Sequence, residues 1–217
     1  MCGEHVDDYI NSNGLLSQWR AYGGNGGYAI VFRTKDLEEI IKLEADNFHY
    51  GHISLADVVY SDDEEKFKQE LSPRLEYIAN HLTEIMRRIQ KQQNEPPDAT
   101  ESYPSFVSCT SRYKDRWFKE EQEVRIVALP TILTKEYREI AEDNYCNSRY
   151  EKERKFRDAN GIPTPYIELF NSSKTHLPID KIIVGPHKDK EARAAGLRAM
   201  LKNMDIEVTI SEIPLIG

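Results

Sequence analysis

The sequence predicts an α+β fold: a single domain with a mixed, largely antiparallel sheet, flanking helices and a C-terminal strand-helix-strand unit. Three observations predict it. Short apolar runs such as Tyr28 to Phe32 and Glu123 to Leu129 have strand length. A long middle stretch carries apolar residues at steps of three and four, the spacing of one helix face. The tail from Lys181 to Ile210 reads as strand, turn, helix, strand.

The chain begins with polar, aperiodic residues from Met1 to Asn13, followed by the Trp19 segment and the strand Tyr28 to Phe32. Between them, Gly23-Gly24-Asn25-Gly26-Gly27 permits positive φ and a tight turn. It lacks the strand-GxGxxG-helix context of a phosphate loop, so the turn is the reading taken. A short helix is expected near Lys35 to Leu43, then a strand around Leu55 to Tyr60. Phe67, Leu71, Leu75, Ile78, Leu82, Ile85 and Ile89 then mark a long helix with a packing stripe, which Ser72-Pro73 should break or kink. Asn94 to Pro104 reads as a loop and Lys135 to Asn160 as a polar, helix-like surface insertion. The strand Pro165 to Phe170 follows. The last unit has a strand from Lys181 to Val184, a helix from Lys190 to Met204 and a strand from Ile206 to Ile210. Asp189 is placed to cap its helix, with Ala194, Leu197, Leu201 and Met204 as the buried face.

At 217 residues the chain is long enough for one sizeable core and nothing demands a second domain. Its 37 acidic and 29 basic residues leave a formal charge of -8, which disfavours long-range attraction to nucleic acid or an anionic bilayer. Lys152, Arg154, Lys155 and Arg157 form a local basic cluster, read as a solvated helix face interleaved with Glu151 and Glu153. Cys2, Cys109 and Cys146 follow no disulfide or CxxC spacing, and His49 and His52 have no third ligand nearby, so no metal is expected. No apolar run reaches the ~18 residues of a membrane span and the N-terminus has no leader pattern, so a cytoplasmic protein with reduced thiols is expected.

The candidate site lies in two stretches. In KDRWFKEEQEVRIV, Lys114 to Val127, residues two apart share a strand face. Glu121, Glu123 and Arg125 would then project together, with Val124, Ile126 and Ala128 toward the core. Two such carboxylates repel, which raises one pKa unless a cation such as Arg125 or Arg20 sits among them. The pair can divide labour, one activating a nucleophile and the other stabilising positive charge on a sugar ring. The alternative is a solvated strand face with ordinary ion pairs. In LLSQWRAYGGNGGYAIVF, Leu15 to Phe32, the residues Trp19, Arg20 and Tyr22 read either as an aromatic edge with Arg20 stacked on it or as a phosphate or carboxylate clamp. Ser108, Thr110 and Ser111 either hydrogen-bond a ligand or satisfy a strand end. Gly185-Pro186-His187-Lys188 precedes a helix and is a weaker anion candidate.

Taken in order, these motifs resemble a bacterial family called domain of unknown function 2971. They are the Trp19 stretch, Val58 to Tyr60, the FxxExEVR pattern of Phe118, Glu121, Glu123, Val124 and Arg125, IDKIIVGP and the closing SEIPL. The resemblance covers nearly the whole chain and implies a missing N-terminal strand-and-helix region. A looser, motif-level similarity is to ADP-ribosyltransferases, with Arg20, Ser108-Cys109-Thr110-Ser111 and Glu121-Gln122-Glu123 in their order. That similarity implies NAD or another nucleotide as substrate. Arg20 would hold its phosphates, the serine motif would order the nicotinamide pocket and Glu123 would stabilise the oxocarbenium ion. The interval from Ser111 to Glu121 is shorter than those enzymes have. The competing expectation is a non-catalytic interaction or accessory module of a stress or phage-defence locus.

Overall fold

A computed structural model of the chain describes residues 8–24, 26–91, 99–131, 149–171 and 176–214. The fold is α+β, with helices flanking several small, mostly antiparallel sheets. Among the described residues the strands form four separate sheets, where the sequence suggested one. The chain divides into two compact units, residues 1–40 with 172–217 and residues 41–171.

Unit 1 is built on a three-stranded sheet. β1 (Tyr28–Phe32) pairs antiparallel with β8 (Ile179–Val184), which pairs parallel with β9 (Glu207–Ile210). A parallel pair needs a crossover, and the helix α7 (Lys190–Met200) supplies it. Val184, Ala194 and Val208 form the buried cluster, with Leu197, Leu201 and Ile210 packed on it. Met204, expected on that buried face, is 60% exposed, because the helix ends at Met200. Asp189 stands at the N-cap of α7 without a side-chain capping bond. Two helices precede the sheet, α1 (Asp8–Asn13) and α2 (Leu16–Tyr22). Asn13 ties them to the chain end. Its carbonyl accepts from the buried Ser211 hydroxyl at 2.8 Å, and its side-chain oxygen accepts from the Glu212 amide at 2.6 Å.

Helix α3 (Thr34–Asn47) begins in unit 1 and ends in unit 2. Unit 2 continues with β2 (Tyr50–Asp57) and β3 (Val59–Tyr60), two strands where one was expected. α4 (Glu64–Lys66), capped by the Asp63 side chain, runs through a π-helical turn at Phe67–Leu71 into α5 (Ser72–Gln90). Pro73 stands in the first turn of α5, where its missing N–H costs nothing, so the predicted break appears as this π-to-α junction. Leu71, Val59 and Cys109 form the buried cluster, with Phe67 against it. The rest of the α5 stripe differs from the expected packing face: Leu75, Leu82 and Ile89 are 40%, 46% and 59% exposed.

α6 (Tyr103–Arg112) leads into β4 (Tyr113–Lys114), which pairs parallel with β3, and a 3-10 helix spans Arg116–Glu121. β5 (Val124–Pro130) pairs antiparallel with β2. β6 (Lys155–Ala159) and β7 (Ile162–Tyr166) form a hairpin closed at Asn160-Gly161, both at positive φ. That hairpin replaces the helix face expected for the basic cluster. Residues 135–148 of the expected insertion lie outside the described residues, as do Cys2 and Cys146. Lys152 is buried, where a solvated position was expected. Its ammonium pairs with Glu44, donates to Asn171 at 3.0 Å and lies 4.0 Å from the Phe48 ring centre.

Candidate functional site

In unit 1 the site grows from one tryptophan and the glycines around it. Trp19 lies on α2, ahead of the glycine-rich turn, and its indole N–H donates to the Asn13 carbonyl at 2.9 Å. A Cβ on Gly14 or Gly185 would lie 2.8 Å from the indole, so both positions require glycine for the ring to fit. Gly26, at φ +95°, is confined likewise: a Cβ there would lie 2.8 Å from His187 and 2.9 Å from Arg193. Arg193 donates to the Gly26 carbonyl, and the Gly185 amide donates to the Gly27 carbonyl at 2.9 Å. His187 in turn accepts the Asp189 amide at 3.0 Å. The glycine-rich turn is therefore held in place by the segment between β8 and α7.

This framework leaves a cleft of about 220 Å³ whose lining includes Trp19, Arg20, four glycines of the turn, Pro186 and Pro214. Arg20 is exposed, and its guanidinium has no ion-pair or hydrogen-bond partner among the described residues. A second cleft of about 260 Å³ shares Trp19, Gly23 and Gly27 with the first and is lined also by Gln18, Tyr22 and Tyr28.

The predicted residues of unit 2 form a different kind of group. Glu121 ends the 3-10 helix and Glu123 precedes β5, with Gln122 between them at φ 44°, so the three charged residues do not lie along one strand. They meet instead through Lys114, whose ammonium donates to Glu121 and to Glu123 at 2.7 Å each and lies 4.7 Å from the Phe118 ring centre. Arg125 donates to both Glu123 oxygens, at 2.5 and 3.0 Å, and to the Ser111 carbonyl. The Glu123 amide donates to the Tyr60 hydroxyl at 2.9 Å.

Arg125 first and Lys114 second hold the Glu123 carboxyl down to about 2, as expected where cations sit among the carboxylates. The Lys114 ammonium is correspondingly raised by its bonds to Glu121 and Glu123. Lys114 is the member the sequence reading missed, although it opens the quoted stretch. Val124 is 41% exposed and Val127 is the buried residue of β5, so the core side of the strand is opposite to the one expected.

The serine motif lies on α6 and not at a strand end. Thr110 and Ser111 return their hydroxyl protons to helix carbonyls, Phe106 at 2.9 Å and Val107 at 2.5 Å. Ser108 is 1% exposed and its hydroxyl has no hydrogen-bond partner among the described residues. Trp19, Arg20 and Tyr22 thus belong to unit 1, and Ser108, Thr110, Glu121, Glu123 and Arg125 to unit 2. Among the described residues no group of three or more metal-ligating side chains converges, and no helix is long and apolar enough to cross a membrane.

The chain matches the family model described as Protein of unknown function (DUF2971) over residues 18–126, half of its length, and belongs to that family. That span includes Trp19, Arg20 and Tyr22 and the Glu121 to Arg125 cluster. No curated protein and no solved structure matches the chain.

Proposed function

We propose that the protein binds a phosphate-bearing small molecule of the nucleotide class in unit 1, at the cleft between α2 and the glycine-rich turn. One observation carries this reading: Arg20, whose guanidinium has no partner among the described residues, lines a cleft bordered by glycines. A guanidinium offers a planar fork of donors matched to phosphate oxygens, and glycines allow a ligand close to the main chain. The anchoring of Gly26 and Gly27 supports a preformed site. The test uses Trp19 itself. The chain has two tryptophans, so Trp117→Phe leaves Trp19 as the sole indole. Titration of that variant with ATP, NAD, ADP-ribose and inorganic phosphate should give saturable fluorescence changes with the nucleotides. Adding Arg20→Ala should weaken them by ~10-fold or more. Silence with every nucleotide overturns the reading.

Glycosyl transfer from NAD is a finer form of this proposal. It would use Glu123 on a developing oxocarbenium ion, whereas both oxygens of that carboxylate already engage Lys114 and Arg125. This engagement supports binding ahead of chemistry. Release of nicotinamide that Glu123→Gln abolishes, with nucleotide affinity kept, would instead establish the transferase step. The interaction-module reading has its own observation in unit 2, where Trp117 is 79% exposed beside Phe118 at 49%. A solution mass that rises with concentration in the wild type and not in Trp117→Ala would favour it.

A further inference from the structure

We infer that the second cleft of unit 1 receives the base of that nucleotide, stacked on Tyr22 and Tyr28 and contacted at its edge by the Gln18 amide. The inference rests on the nucleotide reading above and specifies which part of the ligand goes where. The two clefts share Trp19, Gly23 and Gly27 in their linings, so they adjoin at α2 and the glycine-rich turn. Together their volumes fall in the ~300–1,000 Å³ range of small-molecule sites.

The chemistry of the two linings differs in the way a nucleotide differs from end to end. The first offers a cation and glycine backbone. The second is lined by two tyrosines, Leu15 and Gln18, whose side-chain amide both donates and accepts. Tyr22 and Tyr28 are 76% and 51% exposed, so their side chains remain largely available to a ligand. Aromatic faces bind any planar base through stacking, and a Gln side chain can pair with the donor-acceptor edge that distinguishes one base from another. Tyr22 is two residues from Arg20 on α2, and Tyr28 opens β1, so both groups are placed by elements that the anchored turn connects.

The experiment compares AMP, GMP, CMP and UMP with ribose 5-phosphate, which keeps the sugar phosphate and lacks the base, on the Trp117→Phe protein. At least one nucleotide should bind ~10-fold or more tightly than ribose 5-phosphate. Tyr22→Ala with Tyr28→Ala should remove that advantage while leaving ribose 5-phosphate affinity unchanged, and Gln18→Ala should narrow the differences among the four nucleotides. Both tyrosines are exposed, and a melting temperature within ~2 °C of the parent confirms that the double variant is folded. Equal affinity for ribose 5-phosphate and all four nucleotides overturns the base assignment while leaving the phosphate site intact. If no phosphate compound binds, or if Arg20→Ala changes nothing, the parent reading fails and this inference with it.

Discussion

Glu123 has two cations on one carboxylate, and its protonation behaviour follows from that. Its folded-state pKa of about 2 lies below the ~4.3 of an unfolded glutamate. The stabilisation is therefore complete above the unfolded value and is lost as pH falls toward the folded one. The difference in unfolding free energy between wild type and Glu123→Gln should be ~1–2 kcal/mol near neutral pH, after allowance for solvent screening. Urea unfolding at a series of pH values should show that difference closing below pH ~4.5. A gap that stays constant to pH ~2 would show that the pairs with Lys114 and Arg125 do not stabilise the fold. Gly185 offers a second test. An alanine Cβ would lie 2.8 Å from the Trp19 ring and 3.0 Å from the Gly27 carbonyl oxygen, so Gly185→Ala should cost ~1–3 kcal/mol and alter Trp19 emission. An unaltered spectrum and melting temperature would mean that the ring is not confined as described.

Two helices illustrate how far a sequence pattern and its burial can part. α5 carries a regular apolar stripe, yet only Leu71, just before it, is buried on that line. Leu71→Ala should cost ~2–5 kcal/mol, whereas Leu82→Gln and Ile89→Gln should each cost less than ~1 kcal/mol, as read by chemical denaturation. A large loss at Leu82 would show that this face is covered in solution. On α6, Ser108 is buried with a hydroxyl that no described residue satisfies, and removing such a group relieves a desolvation penalty. Ser108→Ala should leave stability unchanged or raise it by up to ~1 kcal/mol. The same substitution should leave nucleotide affinity unaltered, which separates this account from one in which Ser108 orders a nicotinamide pocket.

At the scale of the whole chain, one long-range contact among the described residues is buried and ionic. Glu44 and Lys152, 108 residues apart, are both within unit 2, with side chains 4% and 2% exposed. The Tyr50 hydroxyl donates to Glu44 at 2.8 Å, and burial followed by this bond raises the tyrosine pKa. Lys152→Met alone leaves a buried carboxylate without its cation and should cost ~3–5 kcal/mol. Combining it with Glu44→Leu should recover much of that loss, since an apolar pair of similar volume avoids the desolvation of two ions. Equal damage from the single and double variants would contradict this. Ligand effects should also be regional. Hydrogen exchange with a saturating nucleotide should slow at residues 14–29 and around Gly185, and leave the β2-β5 pair of unit 2 unchanged.

Local chemistry determined what could be read from the chain alone. The strand Tyr28 to Phe32 and the unit from Lys181 to Ile210 were legible because their apolar spacing reports on elements that bury one face within a short span. The α+β class followed from the same patterns. The glycine-rich turn was equally visible, since positive φ is a property of single residues. Tertiary structure decided the rest. Ser105 to Ser111, SFVSCTS, lies in a helix although its β-branched and small residues suit either state, because packing around Cys109 outweighs weak propensity. A charge pattern cannot say which cation meets which anion. Only the 3-10 turn and the β3-β4 pairing bring Lys114 onto both glutamates, and only the fold takes Lys152 out of water to Glu44. Arg20 shows the converse. Its residue type allowed a clamp or a stacked aromatic edge equally, but that it lines a cleft without a partner among the described residues is a fact of three-dimensional placement, because a guanidinium free in one fold is neutralised in another by whatever carboxylate the chain brings near.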